Sequence, residues 1–165
     1  VSAAVTCIEC GACAKHPDWT FCSYTAAVIY GLSVSYANLT HIHIAVAPAQ
    51  STTPGSQVVR HRYAYRTRAS EMDIAVTDID QTIADCLVDA SFVEGLIIAD
   101  SALHEQLLSK EHLIEAVNKL GLNRRGVVTA RRVATVCRRP VGKRRRVQGA
   151  GADDRARLAG SGAAS

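Results

Sequence analysis

The chain has 165 residues, enough for one domain with appendages, and a net charge of +4. Hydrophobic residues make up 48% of it, but only two are Phe and one is Trp, so we expect an aliphatic core. No apolar run approaches the roughly 18 residues of a membrane span. No basic segment followed by an apolar one opens the chain either. This composition predicts no membrane association and favours a cytoplasmic protein with reduced cysteines.

The charge is unevenly distributed along the chain. Residues 1–120 contain seven Lys and Arg against thirteen Asp and Glu, whereas residues 121–165 contain twelve against two. The basic character therefore belongs to the last quarter of the chain, and a nucleic-acid partner is to be sought there.

Residues 1–15 form a segment rich in cysteine and small residues. Cys7, Cys10, Cys13 and His16 follow one another at a spacing that resembles an iron–sulfur run, and these side chains could also bind zinc. Four ligands within ten residues leave little slack for a tetrahedral site. We therefore favour the start of a helix with incidental thiols and predict no cofactor, keeping these four residues as weak metal candidates.

The next part of the chain predicts one short helix and a small antiparallel sheet. Ser23 is a suitable N-cap for a helix over residues 24–30, which Gly31 would end. Polar and apolar residues then alternate over residues 40–46, which is typical of a half-buried strand. His41 and His43 would share one face of it; they could bind a metal, but we favour solvent-facing residues. Two further strands are predicted at residues 57–65 and 72–76.

Residues 76–137 predict a packed unit of about four helices. Thr77, Ser91 and Ser109 are suitable N-caps for the first three, and Gly121 stands where a left-handed C-terminal cap belongs. The fourth helix would run over residues 127–137. Strands followed by helices that can bury their apolar faces only against each other predict an α+β fold.

The first helix of this unit carries several carboxylates. Asp85 and Asp89 are four residues apart and would share a helix face, as a metal-binding or acid–base pair would. Asp78 and Asp80 would lie in the first turn, where carboxylates complement the helix dipole. The others fit a solvated face, and no sequence motif of a hydrolase, metalloprotease or phosphate-binding loop occurs. We favour the structural interpretation and predict no enzyme.

Several short segments, in the same order, resemble AbiEi-like antitoxins of type IV toxin–antitoxin systems. The resemblance covers about residues 16–137 and is carried by residues 21–32 (FCSYTAAVIYGL), 41–46 (HIHIAV), 58–62 (VVRHR), 76–86 (VTDIDQTIADC), 99–103 (ADSAL), 113–120 (LIEAVNKL) and 124–127 (RRGV). It implies a non-catalytic antitoxin that opposes a nucleotidyltransferase-like toxin without forming a stable complex and represses its own operon.

The chain departs from the family pattern at both ends. Members usually begin with a winged helix-turn-helix that binds the promoter, and nothing before Cys22 is long enough for one. Related proteins continue into a domain similar to very-short-patch-repair endonucleases. The chain instead continues into residues 138–165, rich in Arg, Gly and Ala, for which we expect disorder. An alternative is therefore the non-catalytic N-terminal half of a repair-endonuclease-like protein, and a second is a small metal-binding protein.

Two interpretations of residues 138–165 stay open. Lys143, Arg144, Arg145 and Arg146 could bind DNA non-specifically. Alternatively, the Arg-, Gly- and Ala-rich composition of residues 138–165 is what out-of-frame reading of a GC-rich gene produces. The segment is then a frameshift product.

Within the domain over residues 16–137, the candidate basic face consists of Arg124, Arg125, Arg131 and Arg132. These residues form two pairs spaced seven apart, which would align on a helix that began early enough. A solvated helix face is the alternative. The sequence does not predict the oligomeric state.

Overall fold

The computed structural model describes residues 18–48, 57–63, 68–71 and 73–138. The Cys7, Cys10, Cys13 and His16 segment lies outside these residues, as do Lys143 to Arg146 and the rest of the predicted basic tail after Arg138. Within the described ranges, none of the helices has the length and apolar character that crossing a membrane requires.

The first half of the described chain consists of five strands and two short helices. In chain order they are β1 (Thr20–Phe21), α1 (Ser23–Ile29), a 3-10 helix (Tyr36–Leu39), β2 (Ile42–Val46), β3 (Val58–Arg62), β4 (Arg68–Glu71) and β5 (Ile74–Thr77). The sequence predicted β2, β3 and β5 within a few residues. It missed β1 and β4, which are short and lack a clear alternating pattern.

The five strands form one mixed sheet in the order β3-β2-β1-β5-β4. β1 pairs antiparallel with β2 and β4 with β5, whereas β1–β5 and β2–β3 are parallel pairs. The predicted purely antiparallel sheet is therefore corrected to a mixed one. The reason is connection length: residues 47–57 separate β2 from β3, and a connection of this length allows β3 to return in the same direction as β2.

Helix α1 packs against the sheet and joins it to the rest of the core. Phe21, Ile44 and Val76 lie at paired positions of three neighbouring strands and are buried. Gly31 has φ +79 and ends α1, as predicted. Ser23 was predicted as the N-cap, but Cys22 holds that position without a side-chain cap, and Ser23 is itself the first helical residue.

The second half consists of four helices, as the sequence predicts. They are α2 (Ile79–Asp89), α3 (Phe92–His104), α4 (Lys110–Leu120) and α5 (Val127–Val136). Ser91 caps α3 in a capping box with Glu94, and Ser109 accepts a hydrogen bond from His112 N, as predicted. Asp78 rather than Thr77 caps α2, because its carboxylate accepts from Gln81 N at 2.8 Å.

The four helices bury one aliphatic core that is continuous with the sheet. Its fully buried members include Ile83, Leu87, Ile98, Leu113 and Val133. The predicted α+β class is confirmed. Gly121 does end α4, but with φ −83 it is not a left-handed cap; the left-handed residues of the α4–α5 loop are Asn123 and Gly126.

Candidate functional site

A buried carboxylate on α2 lies where the sheet meets the helical unit. Asp85 has no exposed surface, and its two oxygens accept hydrogen bonds from three side chains. Tyr63 Oη donates to Oδ2 at 2.5 Å, Gln81 Nε2 donates to Oδ1 at 3.0 Å, and Arg124 Nη1 also donates to Oδ1. Arg124 Nη2 donates to Asp89 Oδ1 at 3.3 Å. We call these five residues the Asp85 cluster.

Three separate elements supply the cluster. Gln81, Asp85 and Asp89 are spaced four apart, so they follow one another along one face of α2. Tyr63 directly follows β3, and Arg124 lies in the loop between α4 and α5. A single carboxylate therefore connects the sheet, α2 and the α4–α5 loop.

The α4–α5 loop can place Arg124 only because of a glycine. Gly126 has φ +94, a conformation that L side chains rarely adopt. A Cβ atom at this position would also lie 2.1 Å from the carbonyl oxygen of Val88. The loop thus lies directly against the C-terminal turn of α2, which brings Arg124 within reach of Asp85 and Asp89.

Burial and pairing oppose each other in the cluster. Burial raises the pKa of Asp85, against the lowering effect of Tyr63, Arg124 and Gln81. Burial lowers the pKa of Arg124, but the nearby carboxylates of Asp85 and Asp89 raise it by more. The pKa of Arg124 therefore lies above its ordinary value, and the guanidinium stays charged. Burial, with Cys22 and Asp85 nearby, strongly raises the pKa of Tyr63. Tyr63 is therefore a neutral donor, and Arg124 supplies the charge that compensates the buried carboxylate.

This geometry decides between the two interpretations of Asp85 and Asp89. Asp85 has no exposed surface, and both of its oxygens are hydrogen-bonded, which is the arrangement of a structural carboxylate rather than of an acid–base pair. The expected solvated face is wrong for Asp85, because Arg124 makes its burial tolerable. With two carboxylates for one guanidinium, the cluster also offers no excess positive charge to a phosphate.

A pair of histidines lies on the sheet beside Tyr24 and Tyr63. His43 on β2 and His61 on β3 are on the same face, and His43 Nδ1 lies 2.8 Å from His61 Nε2. Their ring centroids are 5.1 Å apart, which is the nitrogen–nitrogen distance plus the two ring radii, so the rings meet edge to edge. At this distance one ring nitrogen donates a hydrogen bond to the other, and the tautomers decide which of the two is the donor.

The histidine pair is held in its neutral form. Burial, with His61 and His41 nearby, lowers the pKa of His43 to about 4, and burial also lowers the pKa of His61. The expected solvent-facing role is wrong for His43, which is half-buried against Tyr24; His41 is exposed, with Nδ1 at 2.8 Å from Thr40 Oγ1. Among residues 18–138 where the structure describes them, no three His, Cys, Asp or Glu side chains are grouped to hold a metal.

The structure separates the four candidate arginines. Helix α5 begins only at Val127, so Arg124 and Arg125 precede it and the predicted alignment with Arg131 and Arg132 does not occur. Arg124 belongs to the Asp85 cluster, where its guanidinium pairs with Asp85 and Asp89. Arg125 is exposed.

The other two arginines of the set contact neighbouring side chains on α3 and α4. Arg131 Nε donates to Asn118 Oδ1 at 2.9 Å, and Arg132 lies 5.5 Å from the ring centroid of Phe92. Both remain exposed.

Sequence reasoning missed the partners of Asp85. In a strand over residues 57–65, alternation puts His61 and Tyr63 on one face, and Gln81 and Asp85 are four residues apart on a helix. Tyr63 and Arg124 are 22 and 39 residues from Asp85 in the chain, and no local sequence signal predicts that they contact it. No protein-family model matches the chain, and none of the curated proteins matches it either.

Proposed function

We propose that the chain is a non-catalytic regulatory or interaction domain of the AbiEi-like antitoxin kind, acting in the cytoplasm. The observation that carries the proposal is that several segments of the resemblance contribute residues to the Asp85 cluster. The segment over residues 76–86 contributes Gln81 and Asp85, the segment over residues 124–127 contributes Arg124 and Gly126, and Tyr63 directly follows the segment over residues 58–62. The residues that carry the resemblance thus include those that hold the sheet against the helices.

The closed Asp85 cluster supports a non-catalytic role. Its carboxylate is saturated with donors and removed from solvent, so it serves as a cross-link between elements. A domain with such a cross-link keeps a fixed surface, which is what a regulatory contact requires. DNA contacts are proposed only for Arg125, Arg131, Arg132 and residues 143–146, because Arg124 is occupied.

The proposal is tested by co-expression with nucleotidyltransferase-like toxins of type IV systems in a bacterial host. We expect the chain to relieve the growth arrest that such a toxin causes. An Asp85→Ala variant, which lacks the cross-link, should fail to relieve it at the same expression level. A soluble, folded wild-type chain that gives no relief with any toxin of the panel contradicts the proposal; circular dichroism establishes that the chain is folded.

A separate binding experiment with purified protein and labelled duplex DNA addresses DNA binding. Salt-dependent retention of labelled duplex DNA should be weakened by replacing Arg125, Arg131 and Arg132 with Gln. Retention that is unchanged in this triple variant, but lost when Lys143 to Arg146 are replaced, would assign DNA contact to the tail alone.

A further inference from the structure

An apolar groove lies between α3 and the segment that follows α1, away from the Asp85 cluster. It has a volume of about 480 Å³, and its apolar lining consists of Val28, Leu32, Val34, Tyr36, Leu39 and Ile97. Two hydrogen bonds fix the segment to α3 on either side of Ile97: Asn38 Nδ2 donates to Glu94 Oε1 at 3.2 Å, and Ser33 N donates to Ser101 Oγ at 3.1 Å. We call this feature the α3 groove.

Large apolar side chains extend from the groove onto the open surface of α3. Tyr36 is 77% exposed, Val93 66% and Ile97 47%. Val93 and Ile97 are one turn apart and form a stripe on a helix that is apolar on nearly all sides. Exposed apolar side chains that adjoin a groove are typical of a protein interaction site.

Carboxylates flank the stripe on both sides. Because successive residues of a helix are about 100° apart, Glu94 and Asp100 lie about 60° to either side of Ile97. Glu94 is bonded to Asn38 and Ser91, and Asp100 to the backbone N–H of Arg138. The ion pairs formed among the described residues involve neither carboxylate.

The segments that form the groove contain no Lys or Arg of their own. No Lys or Arg occurs in residues 16–59 or 69–109, which include both walls of the groove and all of α3. A cation that reaches α3 from another element is Arg132 on α5, which lies over Phe92. Phe92 is about 140° around the helix from Ile97, so Arg132 lies away from the stripe. An apolar stripe between carboxylates that form no ion pair among the described residues is complementary to an amphipathic helix with basic residues beside its apolar face.

We propose that the α3 groove is a docking site for a basic amphipathic helix of a partner protein. The partner helix places one or two large apolar side chains over Ile97 and in the groove, and its Lys or Arg residues beside Glu94 and Asp100. This inference rests on the α3 face alone and does not depend on the toxin–antitoxin proposal.

The test uses the full chain and a labelled synthetic helix built from leucine and lysine, with a leucine–glutamate helix as the probe of opposite charge. Fluorescence anisotropy should show binding of the lysine probe only. Ile97→Ser should weaken it about tenfold, since one large apolar contact is worth on the order of 1.4 kcal/mol. Asp100→Asn, which keeps an acceptor for Arg138 N, should weaken it several-fold and reduce its dependence on salt.

Two matched variants separate the groove from non-specific attraction. Val128→Ser removes an apolar side chain that is 68% exposed on α5, and Glu115→Gln removes an exposed carboxylate on α4; neither should change the affinity. Equal loss in all four variants, or no binding by the wild type, overturns the proposal. Circular dichroism of each variant excludes unfolding as the cause.

Two other occupants would also overturn it. If the lysine probe binds only when Lys143 to Arg146 are replaced by Gln in the full chain, the groove belongs to the chain's own basic segment. If light scattering shows a dimer that Ile97→Ser converts to a monomer, a second copy covers the stripe. Binding of the probe to a monomeric wild type, weakened by Ile97→Ser and Asp100→Asn alone, supports the proposal.

Discussion

Two carboxylates belong to the Asp85 cluster and two others flank the apolar stripe beside the α3 groove, but the two pairs differ in what surrounds them. Asp85 and Asp89 share the guanidinium of Arg124, and Asp85 has no exposed surface. Glu94 and Asp100 are partly exposed and bonded to uncharged donors only. A buried charge must be paired if the domain is to fold, whereas an exposed one needs no partner. The comparison therefore separates residues required for folding from residues free to serve a partner.

The largest effect is expected from breaking the buried pair. Asp85→Ala leaves Arg124 without its main counterion and Tyr63 Oη without its acceptor. We expect a loss of about 3 kcal/mol in the free energy of unfolding, at the lower end of the range for a broken buried pair. The lower end applies because 31% of the Arg124 side chain stays in contact with water. Urea denaturation at pH 7 measures it.

Asp89→Ala is the matched control for this prediction. It removes the other carboxylate bonded to Arg124, but the Asp89 side chain is 39% exposed, so we expect a loss of about 0.5 kcal/mol. Equal losses for the two variants would show that Arg124 does not discriminate between the carboxylates and that the cluster is not closed.

The next effect concerns the glycine that brings the α4–α5 loop to the cluster. Gly126→Ala combines a left-handed backbone with a Cβ atom 2.1 Å from Val88 O, so the loop must move. We expect a loss of about 2–3 kcal/mol. Gly31→Ala is the control: its φ is +79, but a Cβ atom there meets nothing within 4 Å, so only about 1 kcal/mol should be lost. Similar unfolding midpoints for both variants would contradict the close approach of the loop.

The helical unit was predictable because its signals are local. Ser91 and Ser109 cap their helices as their side chains require, and the apolar residues repeat at the helical period. Even the error at Thr77 is small, since Asp78, one residue later, is an equally good acceptor for a backbone N–H.

The sheet order and the site were not predictable in the same way. β1 has two residues and no periodicity, yet it is the central strand and joins β2 to β5. Arg124 was assigned to a basic face because its neighbours in sequence are basic, whereas its neighbours in space are Asp85 and Asp89. Pairing across long sequence separations depends on tertiary packing, which a residue pattern does not contain.

A smaller effect is expected from the pH dependence of the histidine pair. The folded-state pKa of His43 is about 4, below its ordinary value of 6.5, and the pKa of His61 is lowered as well. A lowered histidine pKa means that the unfolded chain binds more protons. Stability is therefore full above pH 6.5 and falls as the pH decreases toward 4. We expect a loss on the order of 1–2 kcal/mol, allowing for solvent screening of half-buried rings.

Urea denaturation at pH 7, 5.5 and 4.5 tests this prediction against two variants. His61→Gln removes one member of the pair and should flatten the dependence, whereas His41→Gln, on the exposed neighbour, should leave it unchanged. A pH dependence that persists in full in His61→Gln would assign it to other groups, the carboxylates first.

The smallest effect on stability is expected on the α3 face. Val93→Ser and Asp100→Asn alter side chains that are partly or largely exposed, so each should change the free energy of unfolding by no more than about 0.5 kcal/mol. Ile98→Ser, next to the stripe but 1% exposed, should lose about 3 kcal/mol by leaving a cavity and a buried hydroxyl. If Val93→Ser were as destabilising as Ile98→Ser, the stripe would be part of the core, and the distinction between a face required for folding and a face free for a partner would fail. A near-zero change in stability combined with weaker binding of the lysine probe would place the two carboxylate pairs in separate roles.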